Sequence, residues 1–186
     1  MARKPILFAV LILGVWAASL AQPRPLTKGE ELKRLDFLAG AWHGKLQRYL
    51  PSVETLELEP RVTFEWGVGG VWLRGRDEIE LPDGGVSPSL SQITWDPDEG
   101  AYVGSWQDNV VPGSVAFQGR WLDEKRLELD SGEFDLRGRR HRVIVTYAKV
   151  SENEFRTVIR QSQENGELKT IARGRFQRGG QVFLSR

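Results

Sequence analysis

Residues 57–66, Glu-Leu-Glu-Pro-Arg-Val-Thr-Phe-Glu-Trp, decide the fold. Leu58, Val62, Phe64 and Trp66 occupy the even positions, and charged or polar residues occupy the odd ones. Because successive side chains of a strand point to opposite faces, this period of two predicts a strand with one buried and one solvated face. Pro60 interrupts the apolar positions and has no amide N–H, so we expect an edge-like or bulged site there.

The same alternation recurs along the rest of the chain. It predicts nine further strands, at residues 42–50, 71–81, 89–96, 101–108, 114–121, 126–134, 140–150, 154–162 and 168–178. Most connectors are short and rich in turn-forming residues, as in Pro82-Asp83-Gly84-Gly85. Hairpin-length connectors predict antiparallel pairing in chain order. Since no segment has the pattern of a crossover helix, the chain is predicted to be all-β.

Ten consecutive antiparallel strands leave two exposed edges unless the sheet closes on itself. We therefore predict a ten-stranded up-and-down barrel, which is wide enough to hold a small ligand. One helix over Thr27–Leu38 is expected to cap one end. Thr27 and Glu30 have the spacing of a capping box, and Leu32, Leu35 and Leu38 form an apolar stripe.

Residues 1–21 have the pattern of an export signal. Arg3 and Lys4 precede the uncharged apolar run 6–20, and Ser19-Leu20-Ala21 fits a cleavage site. The alternative is an uncleaved N-terminal anchor. We expect a periplasmic or secreted protein with no later membrane span, consisting of a linker and helix start at 22–31, one barrel domain at 32–178 and a tail at 179–186.

Composition excludes several classes of protein. The chain has no cysteine, so neither disulfides nor a lipid-modified cysteine is expected. Arg3 and Lys4 account for two of 26 basic residues, and 25 acidic residues balance the remainder. Such a nearly neutral domain lacks the concentrated basic face that nucleic acid requires.

Common catalytic and metal-binding patterns are missing from the sequence. His43 and His141 are the two histidines and lie far apart, whereas zinc sites draw on three or four convergent ligands. No Gly-x-Ser-x-Gly elbow is present, and Ser105 has no histidine placed by sequence to act as its base. We predict no metal, no cofactor and no catalytic nucleophile.

The strand phase identifies side chains that point into the barrel. Strands 89–96 and 168–178 do not declare a phase, because both of their faces carry apolar residues. The inward side chains predicted to line a site for a small, mostly apolar or aromatic ligand are Trp42, Phe64, Trp66, Leu73, Asp77, Tyr102, Trp106, Asp108, Phe117, Trp121, Ile159 and Gln161. The same aromatic set is also compatible with a packed core, which would make the protein a scaffold.

Two acidic residues and a basic cluster leave alternatives open. Asp77 and Asp108 could act as an acid or base in the cavity, or form rim salt bridges with Arg74, Arg76 or Arg160. The basic run 137–142 is interpreted as a solvated hairpin turn, with binding of an anionic group as the alternative.

Several motifs resemble those of a known family. Gly40-Ala41-Trp42 is similar to the Gly-x-Trp signature of lipocalins. Residues 35–44, the run Gly69-Gly70-Val71-Trp72-Leu73-Arg74, Thr94-Trp95-Asp96-Pro97, residues 100–108 and Gly119-Arg120-Trp121 together resemble the bacterial family labelled domain of unknown function 1579, over roughly residues 32–178. This resemblance implies a lipocalin-like barrel without an established activity.

The resemblance also carries two expectations about individual residues. In the lipocalin-like arrangement a late arginine stacks over the indole of Trp42, and Arg173 and Arg175 are the candidates. Nitrobindin, a haem-binding relative, begins with a similar Gly-x-Trp-x-Gly stretch and uses a proximal histidine on a late strand. Because this chain has no histidine after His141, haem is not expected.

Overall fold

A computed structural model describes residues 29–50 and 54–179. The proposed signal, Thr27 and Lys28 lie outside these residues. Within the described ranges, no helix has the length and apolar character needed to cross a membrane.

The N-terminal helix is shorter than predicted. Helix α1 spans Glu30–Lys33 and continues as a 3-10 turn over Arg34–Phe37. Its N-cap is Gly29 in extended conformation, so the helix begins later than predicted. The predicted capping box includes Thr27 and lies outside the described residues. The side chains of Leu32, Leu35, Phe37 and Leu38 are nevertheless all buried against one end of the sheet, which confirms the predicted capping role.

Eleven strands form one antiparallel sheet. They are β1 (Gly40–Tyr49), β2 (Thr55–Leu58), β3 (Arg61–Gly67), β4 (Trp72–Glu80), β5 (Val86–Asp96), β6 (Ala101–Asp108), β7 (Val115–Trp121), β8 (Arg126–Leu136), β9 (Arg139–Ser151), β10 (Glu154–Ser162) and β11 (Leu168–Arg178). Strands β3 to β11 pair in chain order, and β1 pairs with both β3 and β11. The result is the predicted closed ten-stranded barrel with one additional strand, β2.

The additional strand arises at Pro60. Residues 57–66 were expected to form one strand, but β2 and β3 are separate. Both lie along β1 in the same register, with Leu58 opposite Leu46 and Val62 opposite Trp42. The Pro60 carbonyl accepts the Gly44 amide at 2.9 Å, but proline has no N–H to return. The separation of β2 from β3 is therefore a local loss of pairing at Pro60, and both segments follow the same path along β1.

The structure shows which faces of β5 and β11 point into the barrel, a question that the sequence left open. In β5, Ile93 pairs with the inward Leu73, and in β11, Gly174 pairs with the inward Leu46. Ile93 and Trp95 on β5, and Ala172, Gly174 and Phe176 on β11, therefore face the interior.

Arg178 closes the helix end of the barrel. Its guanidinium lies 4.3 Å from the centre of the Trp42 ring and donates to the backbone carbonyls of Ala39 at 2.7 Å and Glu152 at 3.0 Å. The expectation of Arg173 or Arg175 is wrong, because both occupy the outward phase of β11. Gly40 has φ +129°, and a Cβ there would lie 2.4 Å from Arg178 Nη1, which explains the glycine before Trp42.

A candidate ligand site in the open half of the barrel

The interior divides into two halves along the barrel axis. In the closed half, next to α1, many inward side chains are almost fully buried, as for Trp42, Leu73, Tyr102, Leu127 and Phe155, while Trp66, Trp95 and Trp121 at its rim are partly buried. In the open half, at the opposite end, inward side chains remain partly accessible; they include Asp77, Ser89, Ser91, Trp106, Val143, Val145, Ile159 and Gln161. Because these residues point inward by strand pairing, their accessible surface lies toward the open end of the barrel.

The closed half uses its polar atoms to hold the helical segment. The indole N–H of Trp42 donates to the Leu38 carbonyl at 2.7 Å, and that of Trp66 donates to Asp36 at 2.9 Å. The Trp121 indole donates to the Tyr102 hydroxyl at 2.9 Å, which in turn bonds the Glu31 carbonyl at 2.7 Å.

Five predicted site residues therefore lie in the closed half, where they pack the capped end. They are Trp42, Trp66, Leu73, Tyr102 and Trp121. For this half of the aromatic set, the packed-core reading fits the contacts better than a ligand cavity does.

A layer of aromatic rings separates the two halves. The Phe64 ring meets the Tyr147 ring edge-on at 6.3 Å, and Tyr147 meets Phe155 at 6.0 Å. Tyr147 was not among the predicted site residues. Its strand alternates two apolar faces, Val143 and Val145 against Ile144 and Ala148, so the inward face could not be read from the sequence.

Asp77 projects into the open half above this layer. One carboxylate oxygen accepts the Ser89 hydroxyl at 2.8 Å, and the other accepts no hydrogen bond within the described residues. Burial raises the pKa of Asp77 from 3.8 to about 6, and the Ser89 hydrogen bond opposes that shift. Since no described cation forms an ion pair with it, the expected rim salt bridge is not formed by Asp77.

Two hydroxyl groups belong to the same interior. Thr157 lies beside Tyr147 across the β9–β10 pairing, and its buried Oγ1 has no hydrogen-bond partner within the described residues. Burial raises the pKa of the Tyr147 phenol, and the charge of Asp77 raises it further. The side chains of Asp77, Tyr147 and Thr157 are therefore polar groups of the same interior. Asp77 and Thr157 can still form further hydrogen bonds.

The wall of the open half is mostly apolar. Trp106 stacks on Phe117, with ring centres 6.3 Å apart, and meets Phe134 edge-on at 6.1 Å. Near the mouth, Gln161 Nε2 lies 3.1 Å from His141 Nδ1. Ile159 packs beside Leu46 and Ala172. Of the predicted site residues, Asp77, Trp106, Ile159 and Gln161 thus share the open half, with Phe64 and Phe117 at its floor and wall.

Asp108 has a different role from the one expected. Its carboxylate accepts the backbone amides of Val110 and Val111 at 2.8 and 2.7 Å, so it stabilises the turn after β6. It forms no salt bridge with Arg74, Arg76 or Arg160 among the described contacts; Arg160 instead pairs with Glu128 at 2.8 Å. A carboxylate engaged in this way is a poor candidate for acid or base chemistry.

The basic cluster is an exposed hairpin in which three arginines pair with carboxylates. Arg137 takes a turn conformation with φ 55°. Arg139 pairs with Glu164 and Arg140 with Glu133, both at 3.0 Å, while Arg142 pairs with Asp130. These contacts favour the solvated-turn interpretation over an anion site.

Concave surfaces also exist on the outside of the barrel. A groove of about 740 Å³ runs over the outer face of β1 and β3–β6, and another of about 560 Å³ crosses β1, β2, β10 and β11. Exposed side chains of both charges, such as Arg61, Glu65 and Arg76, form much of the larger groove. Since long surface side chains do not fix a ligand, we favour the interior. Within the described chain, no three metal-ligating side chains cluster.

Comparison with known proteins agrees with this architecture. The structure is similar to Rv2717c from M. tuberculosis, at TM-score 0.63 and 15% identity, covering 81% of this chain and 98% of that one. It is also similar to the S-type phycobiliprotein lyase CPES from Guillardia theta, at TM-score 0.55 and 10% identity, covering 84% and 95% of the two chains. At these identities the likeness shows the fold alone, and no curated protein sequence matches the chain. A sequence-family match over residues 27–178 shows that the chain belongs to the family described as Protein of unknown function (DUF1579).

Proposed function

We propose that the protein binds a small, mostly apolar molecule non-covalently in the open half of the barrel. The observation that carries this proposal is the difference in burial along the barrel axis. Many inward side chains next to α1, such as Trp42, Leu73 and Tyr102, are almost fully buried, whereas Trp106, Val145 and Ile159 at the opposite end keep accessible surface. Apolar surface left accessible inside a concave wall favours a ligand that covers it.

The chemistry of the wall supports a ligand with an aromatic or aliphatic body. Trp106, Phe117 and Phe134 supply aromatic surface, and Ile159 and Val145 supply aliphatic surface. A few polar groups, Asp77, Tyr147 and Gln161, interrupt this surface and would orient the ligand.

The test uses N-phenyl-1-naphthylamine, an apolar dye that becomes fluorescent when it leaves water. We expect saturable fluorescence and energy transfer from tryptophan. Ser91, which faces inward opposite Trp106, is replaced by phenylalanine to fill the open half; Gln92→Phe adds the same ring to the outer face of the same strand. Ser91→Phe should weaken binding at least about tenfold, equivalent to about 1.4 kcal/mol, and Gln92→Phe should leave it unchanged.

Binding that Ser91→Phe leaves unchanged would place the dye outside the interior and refute the proposal, and an effect of Gln92→Phe alone would place it in the outer groove, which Gln92 lines. Absence of binding by the folded wild type, checked by circular dichroism, would refute it as well.

We also propose that the protein is exported. Support comes from the pattern of residues 1–21, in which Arg3 and Lys4 precede an apolar run and a cleavage-site pattern. N-terminal sequencing of protein expressed in a bacterial host should give Gln22 as the first residue of the envelope or secreted fraction. Recovery of uncleaved chain in the cytoplasm alone would contradict export.

A further inference from the structure

We propose that the ligand of the open half carries a positively charged amine beside its apolar body, and that Asp77 binds this amine. The inference rests on the proposed function and names the chemical class of ligand. Its basis is the geometry of one carboxylate inside the barrel and the groups that surround it.

Asp77 has unused capacity as an acceptor. Ser89 occupies one oxygen at 2.8 Å, and the other accepts no hydrogen bond from the described residues. An ammonium group has three N–H donors. One can bond the unused carboxylate oxygen, and the hydroxyls of Tyr147 and Thr157 are neutral acceptors in the same interior.

The charges around Asp77 leave it without compensation. On β9, Tyr147 is neutral and His141 lies near the mouth against Gln161; on β6, Asp108 carries a second negative charge and bonds the turn amides. Arg48 occupies the inward phase of β1 but is exposed at its open end. A carboxylate withdrawn from water without a cation is unfavourable, and a ligand cation supplies the missing charge.

A ligand with a carboxylate would be disfavoured for the same reason. It would place a second negative charge near Asp77 in a partly desolvated space. A neutral alcohol could bond the free oxygen but would not compensate the charge. The order of affinity expected at pH 8 is therefore amine, then alcohol, then carboxylate.

Three probes of one shape test this order. Calorimetric titration at pH 8 compares 1-naphthylmethylamine, 1-naphthylmethanol and 1-naphthoate. We expect the amine to bind about tenfold more tightly than the alcohol. Asp77→Asn should remove this preference while changing the affinity for the alcohol less than threefold. Asp98→Asn, which removes one charge from an exposed turn, should preserve it.

A pH titration of the wild type gives a second readout that needs no variant. The amine stays protonated, whereas Asp77 has a pKa of about 6. The affinity for the amine should therefore fall about fivefold by pH 5 relative to pH 8, while the affinity for the alcohol stays nearly constant.

The outcomes separate this inference from the proposed function. Equal binding of amine and alcohol, tighter binding of the carboxylate, or a preference that survives Asp77→Asn overturns the amine assignment. Failure of all three probes to bind, or binding that Ser91→Phe does not weaken, overturns the interior site itself. If Asp77→Asn does not fold, the pH titration decides the amine assignment alone.

Discussion

Asp77→Asn should make the protein more stable at pH 8. In the folded protein burial raises the pKa of this carboxyl from 3.8 to about 6, so folding is opposed wherever the group must be ionised in both states. The asparagine keeps the shape of the side chain and can still bond Ser89, but it carries no charge.

The size of the effect follows from the pKa change. At complete burial, the difference between 3.8 and about 6 corresponds to about 3 kcal/mol. Asp77 is only half-buried and lies in the half of the barrel that solvent reaches, so we expect roughly 1–2 kcal/mol. For a domain of this length, that is a rise in Tm of about 3–6 °C.

The sign of the pH dependence is fixed by the direction of the shift. Because the folded protein binds the Asp77 proton more tightly than the unfolded chain, this group's destabilising effect is full above pH 6. It fades as the pH falls from 6 toward 4. The stability advantage of Asp77→Asn should therefore shrink on acidification.

Urea unfolding at pH 8, 6 and 4.5 measures this advantage, and Asp98→Asn controls for the loss of one surface charge. The difference between variant and wild type is the relevant quantity, because Asp130 and Glu154, whose pKa values are lowered by Arg142 and Arg175, lose stabilisation in acid in both proteins. An unchanged or lower stability of Asp77→Asn at pH 8 would refute the claim that Asp77 is partly withdrawn from water with no cation beside it.

Two further predictions concern the closed half. Arg178→Ala removes the guanidinium over Trp42 together with its hydrogen bonds to backbone carbonyls. The free energy of unfolding, measured by urea titration, should therefore fall by about 2 kcal/mol. A loss below about 0.5 kcal/mol would mean that Arg178 does not stabilise this end of the barrel. Gly44→Ala places a Cβ 2.4 Å from the Phe176 ring and should cost about 1–3 kcal/mol by differential scanning calorimetry; a neutral substitution would contradict the packing of that ring on Gly44.

The barrel could be predicted because its determinants are local. The alternation of apolar residues such as Val62, Phe64 and Trp66 with polar ones indicates which side chains of a strand are buried. Short turns make consecutive strands pair in chain order. The break at Pro60 could also be expected, since proline cannot donate a strand hydrogen bond. The helix start was missed because Thr27 and Glu30 have capping-box spacing, whereas the observed N-cap is Gly29.

The candidate site was predictable only in part, because it depends on depth along the barrel axis. Alternation shows that Trp42 and Trp106 both point inward, but not that Trp42 is covered by the helix while Trp106 lies in the open half. The inward orientation of Tyr147 could not be predicted, because both faces of its strand carry apolar residues. Arg178 rather than Arg175 covers Trp42 because the phase of β11 is set by its pairing with β1, which joins opposite ends of the chain.

The central claim is that a ligand occupies the interior of the open half, and the most direct test is to observe its contacts. Nuclear Overhauser effects between bound 1-naphthylmethylamine and the protein should connect the naphthyl protons to the side chains of Trp106, Val145 and Ile159. Contacts to Arg61, Arg76 or Leu90 in the outer groove, with none to the inward residues, would contradict it.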